Sequence, residues 1–198
     1  LEARKFARGF LAPHVDPHAA NPPPRTPGAE SMVATTAFLA ISDMEIDGKL
    51  AKTTRNALDY IWSKQAPSGA WEKWIKCNWG PYESDDHFGV SLVALAMGIA
   101  AKDDYVKSPA AQEGDRRLKK YLSGNPPESL HQKGMLLWAS GHRDDLNDRK
   151  TVGRWQEELL AAQKKNGGWV LPELGDEHWK RSDGKKQSTE TDAYATAF

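Results

Sequence analysis

The sequence predicts an all-α fold, and three observations carry that prediction. Apolar residues recur at helical spacing along most of the chain, while no segment shows the strict alternation of a half-buried strand. Segments apolar nearly all round alternate with segments apolar on one side only, the pattern of buried helices paired with surface helices. The spelling Q-x-x-x-G-x-W occurs twice, at Gln65 to Trp71 and Gln163 to Trp169, each time closing a helix-like segment. Buried helices forming an inner layer and amphipathic helices an outer one, packed antiparallel, give an α/α toroid, either a barrel or an incomplete ring.

The elements follow in order. Residues 1–28 hold a basic-aromatic stretch, Arg4 to Phe10, then a Pro-rich passage in which Pro22-Pro23-Pro24 is incompatible with helix; the expectation is an extended N-terminal arm. The toroid domain then spans 29–198. From Glu30 to about Met44, residues Met32, Val33, Ala37, Phe38 and Ile41 keep helical spacing, and Asp47-Gly48 stops the helix. Residues Leu50 to Gln65 are amphipathic, with Leu58, Ile61 and Trp62 on one face. The segment Ser84 to Ala100 has no polar face and reads as buried. Pro109 to Leu122 is amphipathic again, Ser129 to Ser140 mostly apolar, and Asn147 to Gln163 amphipathic. Four inner-type and three outer-type helices are expected, the last beginning near Thr191.

Bulk composition narrows the classes of function. The 198 residues suffice for one domain with a real core. With 27 basic and 27 acidic residues the net charge is zero, so no footprint for nucleic acid or an anionic membrane is expected. One cysteine, Cys77, excludes an internal disulfide framework, and no apolar run reaches the ~18 residues of a membrane span. The chain starts at Leu1 without an initiator Met and stops at Phe198 in an unfinished amphipathic segment. The expectation is a piece of a longer polypeptide, with the remainder or a partner protein completing it.

The two Trp motifs lie 98 positions apart (163 − 65), each followed by a polar loop and then a Glu-Ser or Glu-Thr pair opening an apolar run. Glu30-Ser31, Glu83-Ser84, Glu128-Ser129 and Glu190-Thr191 repeat that register, each with a small residue six positions after the Glu: Thr36, Gly89, Gly134 and Thr196. A recurring motif in a recurring context is a repeat. Helix pairs joined in this way resemble the squalene–hopene cyclase, oxidosqualene cyclase and protein prenyltransferase superfamily, and in particular bacterial squalene cyclase-like repeat domains. The resemblance rests on Gln65, Gly69, Trp71, Gln163, Gly167 and Trp169 and covers about residues 30–198. It implies that these six residues form structural clasps. The physics agrees: Gln reaches exposed backbone groups at a helix end, Gly permits a sharp turn, and Trp offers a flat face for the amide.

Candidates for chemistry lie elsewhere. Glu83-Ser84-Asp85-Asp86 is similar to the D-x-D-D of class II terpene cyclases, which implies Asp85 as general acid with Asp86 and His87 assisting. Such an acid must stay protonated through burial. Against it, Asp192 occupies the same place in the second repeat, and acidic residues favour helix N-termini simply by complementing the dipole. Trp74, Trp79 and Tyr82, in the aromatic loop after Trp71, could stabilise a cation, stack on sugar rings or pack the mouth of the ring. His131, Trp138 and Asp192 join them as candidate substrate contacts. His87 and His131 fall on adjacent inner helices and are expected to face one another. No metal site is expected, because Cys77 lacks the prenyltransferase pattern and His14-Val15-Asp16-Pro17-His18 offers no third ligand. No cofactor is expected either, since phosphate-binding and dinucleotide motifs are absent from the sequence. The functional expectation is a terpene cyclase-like pocket for a hydrophobic isoprenoid-type small molecule. Alternatives are a non-catalytic binding module and a polysaccharide-acting toroid enzyme.

Overall fold

The computed structural model describes residues 2–15, 17–18, 29–71, 86–175 and 184–197. Among them no β-strand occurs; the helices are α1 (Glu2–Val15), α2 (Ala29–Asp47), α3 (Lys52–Lys64), α4 (Asp86–Ile99), α5 (Pro109–Gly124), α6 (Leu130–Ser140), α7 (Arg149–Ala162) and two short ones, α8 (Leu171–Leu174) and α9 (Ala193–Ala197). A single isolated bridge joins Trp169 to Asp192 among the described residues.

Helix α4 is the centre of the molecule. Every residue from His87 to Gly98 is buried, and the helix packs against α2 on one side and α6 on the other. Helices α3, α5 and α7 cover α2, α4 and α6 in turn, and α3 also meets α5. The inner and outer layers therefore match the alternation of apolar and amphipathic segments. Leu92, Val93, Leu95, Leu58, Ile61, Trp71, Leu118 and Met135 meet in one continuous core. Burying a side chain of this size contributes about 1.5–3 kcal/mol, so this seam, not local propensity, holds the helices.

Helix ends are set by named side chains. Ser108 accepts from the Ala111 amide at 3.3 Å with Pro109 at the first helical position, and Asp148 accepts from Thr151 at 2.9 Å. Ser129 and Gln132 form a reciprocal capping box at the start of α6. The α2–α3 corner is pinned by buried Asp43, which accepts from the Thr54 hydroxyl at 2.6 Å and the Ala51 amide at 2.9 Å. Asp103 ties the same corner to α5's approach: it accepts from the Leu50 amide at 2.9 Å and from Arg55 at 2.8 Å, and caps the 3-10 turn Asp104–Lys107.

The N-terminal expectation needs correction. Residues Glu2–Val15 are helical, with Pro13 inside the last turn, and α1 packs on α2 and α3 through Leu11, Ala12 and Val15. Proline three residues from a helix end removes only one late hydrogen bond, so its presence does not forbid the helix. Pro22-Pro23-Pro24 lies outside the described residues. Phe38, read as part of the core face of α2, is 49% exposed. No helix among the described residues is long and apolar enough to cross a membrane.

Candidate functional site

The two Q-x-x-x-G-x-W segments build the same object. Gln65 ends α3 and donates its backbone N–H to Trp62 O; Ala66 N–H reaches Ala70 O at 2.9 Å and Gly69 N–H reaches Ala66 O at 2.9 Å. Gly69 turns the chain at φ 98°, a region costly for residues with a Cβ. The Gln65 side-chain amide donates to Gly69 O at 2.9 Å, and the Trp71 indole N–H donates to Ile61 O at 2.7 Å. In the second copy Gln163 N–H reaches Leu160 O, Lys164 N–H reaches Gly168 O at 2.9 Å and Gly167 N–H reaches Lys164 O at 2.8 Å, with φ 84° at Gly167. Gln163 then donates to Gly167 O at 2.7 Å and the Trp169 indole to Leu159 O at 2.9 Å. Each bond of the first clasp recurs 98 residues on.

The indole works through its N–H. Ile61 O and Leu159 O belong to the last turns of α3 and α7, where carbonyls lack a partner four residues ahead, and the indole supplies one. The Trp71 ring also lies 5.8 Å from the Trp62 ring. The neighbouring-helix contact of Gln65 falls in the interior of α5, at Gly114 O, 3.1 Å away, and not at a helix end. Gly114 was not singled out by the sequence. Its signal is thermodynamic: glycine inside an amphipathic helix costs about 1 kcal/mol against alanine, so it asks for a packing reason. That reason is Trp62, whose ring atoms sit 2.3 Å from where a Cβ would be.

At the N-terminal ends of α4 and α6 a second cluster forms. His87 is 4% exposed and His131 fully buried. The His131 ring lies 5.6 Å from Phe88, and the His87 ring 6.4 Å from Tyr121. The Ser91 hydroxyl stands 3.2 Å from His87 Nδ1. Burial, then the proximity of His87, pushes His131 down to about 3, so it is a neutral imidazole. The two histidines thus lie at the N-terminal ends of two helices packed against each other. Asp86 opens α4 in its first turn and is half-buried.

The remaining candidates are scattered. Trp138 is 47% exposed on α6. Asp192 caps α9, accepting from the Ala195 amide at 3.1 Å, while its own N–H reaches Trp169 O at 3.0 Å. Asp85, Trp74, Trp79, Tyr82 and Cys77 lie outside the described residues. His14 Nδ1 is 2.8 Å from Phe10 O within α1, and among the described residues no group of three metal-ligating side chains exists.

Among the described residues, open clefts lie on both sides of α5. One, of about 640 Å³, lies between the C-terminal end of α4 and the turn after α6, and the other, of about 500 Å³, runs between α5 and α7. Where they meet, Arg143 is bound by Asp115 and Asp145, and Lys119 lies 2.5 Å from Asp145. The Arg143 hydrogen bond, with Lys119 assisting, holds the Asp145 carboxyl well below the usual carboxylate range. Sequence separations of about 30 residues carry no local signal, so this network was invisible to periodicity. Comparison with protein-family models and with curated proteins finds no match for this chain.

Proposed function

We propose that this chain is a helical-repeat domain of the squalene cyclase and prenyltransferase kind, an arc of a toroid, that receives a hydrophobic isoprenoid-type ligand at the N-terminal ends of its inner helices. The observation that carries it is the apolar-aromatic cluster of His87, Phe88, Tyr121 and His131 at that end. A neutral His131 imidazole and aromatic rings suit an apolar chain, and aromatic faces attract positive charge. The doubled clasp supports the kinship. Asp85, one residue before α4, is the proposed general acid for cyclisation, with Asp86 and His87 beside it in the chain.

Asp192, which holds the place of Asp85 in the second repeat, is a helix cap, and a helix N-terminus favours the carboxylate anion over the acid that alkene protonation needs. A non-catalytic binding module on the same fold is the second reading, favoured by exposed Phe38 and Trp138 on the inner helices. The polysaccharide reading draws nothing from the clefts, since Asp115 and Asp145 are both engaged by Arg143.

The test has two parts. Titration with squalene and shorter polyprenyl alcohols, read by tryptophan fluorescence, is expected to saturate; absence of binding to all of them sinks the ligand assignment. Incubation with the same compounds followed by product analysis tests chemistry. No product from the wild type, or unchanged product from Asp85→Asn, removes the cyclase while leaving the binding result intact.

A further inference from the structure

The two clasps share their local bonds, yet among the described residues only the first is crossed by a helix of the α5 kind. Helix α5 crosses the first clasp: Gly114 lies on the Trp62 ring, Gly114 O accepts from Gln65, and Arg117 O stands 2.2 Å from where a Cβ on Gly69 would be. Just before α5, the Tyr105 hydroxyl donates to Asp59 of α3 at 2.8 Å. The second clasp carries the four corresponding positions at the same 98-residue offset. Leu160 stands for Trp62, Gln163 for Gln65, Gly167 for Gly69 and Glu157 for Asp59. Trp62 is 5% exposed and Leu160 63%; Gln65 is 6% exposed and Gln163 is exposed; a Cβ on Gly167 meets nothing within 4 Å.

We propose that Leu160, Gln163 and Gly167 form a docking seat for one amphipathic helix of the α5 kind, from a further hairpin of the same repeat. That helix presents a glycine against Leu160, offers its backbone carbonyl to the Gln163 amide, and is preceded by a hydroxyl donor facing Glu157. The occupant is specified by what fills the first seat. At the first seat a Cβ on Gly114 would meet the Trp62 ring at 2.3 Å, so glycine there permits the close approach. A glycine at the same crossing lets the docked helix approach Leu160 as closely and bring its carbonyl to the Gln163 amide. The seat is independent of any ligand at the inner-helix ends.

The α5 sequence itself is the probe. A lactam-stapled peptide spanning residues 103–124, its helicity verified by circular dichroism, is titrated into the 198-residue chain and followed by Trp169 fluorescence and by the Gln163 side-chain amide resonances. Saturable binding is expected, weakened about tenfold or more by Gly114→Val in the peptide and by Leu160→Asp in the protein, and strengthened by Leu160→Trp. Gln163→Ala should weaken it less, because only one hydrogen bond is lost. Each protein variant is checked for unchanged thermal unfolding, which an exposed position allows. No saturable binding by the helical peptide overturns the proposal. Binding indifferent to Leu160→Asp overturns it equally, since the peptide is then exchanging with α5 at the first clasp.

Discussion

Gln65 and Gln163 have the same sequence context and the same local bond, but not the same surroundings. Gln65 is buried and adds a second acceptor from α5, whereas Gln163 faces solvent. Removing a buried hydrogen-bonding partner leaves carbonyls unsatisfied, while an exposed one is replaced by water. Gln65→Ala is therefore expected to cost about 1–3 kcal/mol in urea unfolding and Gln163→Ala within about 0.5 kcal/mol. Equal losses would show that the cross-helix bond contributes little. His131 sets a pH dependence. Its folded value, near 3, lies below the unfolded value of about 6.5, so the unfolded chain binds the proton first. The stabilisation from a neutral His131 is complete above about pH 6.5 and is lost progressively as pH falls toward 3. Unfolding midpoints measured from pH 7 to pH 5 should fall in the wild type and fall less steeply in His131→Leu. Identical slopes would remove His131 from the account.

At the scale of elements, α5 shows how a weak helix residue becomes a fixed contact. Gly114→Val places atoms into the Trp62 ring and should destabilise by about 1–3 kcal/mol, the usual cost of overpacking, despite valine's similar or better intrinsic helix propensity. A stabilised variant would mean that α5 rides higher on α3 than described. Ser129→Ala removes one half of the capping box of α6 and should cost about 1 kcal/mol, with Ser129→Asp restoring most of it. Helix existence was legible in the spacing of apolar residues, and the expected starts at Pro109, Ser129 and Asn147 fall within two residues of the observed Pro109, Leu130 and Arg149. Helix α1 was not legible, because the Pro-rich passage after Phe10 argued for an extended arm.

For the whole molecule, stability is expected to be uneven. Helix α4 is enclosed by α2, α5 and α6, while α8 and α9 are short and touch little besides each other, α6 and the second clasp. Amide exchange should be slowest in Val90–Ala96 and fast in Ala193–Ala197, with α7 between them. Uniform protection across α4 and α9 would contradict this layering. Filling the second seat should slow exchange in α7, which links this prediction to the docking test.

Sequence alone determined the class of fold, the alternation of inner and outer helices and the existence of two equal clasps. These follow from periodicity and from short-range bonds whose donors and acceptors lie within ten residues. It also placed His87 and His131 on neighbouring helices. Tertiary structure decided which clasp is seated, why Gly114 is glycine, that Asp192 serves as a cap, and that Arg143, Asp115, Asp145 and Lys119 share one network. Apart from the Asp192 cap, which is local, those outcomes depend on contacts between residues far apart in the chain, such as Arg143 with Asp115 and Gln65 with Gly114. No local pattern encodes such a separation; only the packing of finished helices sets it.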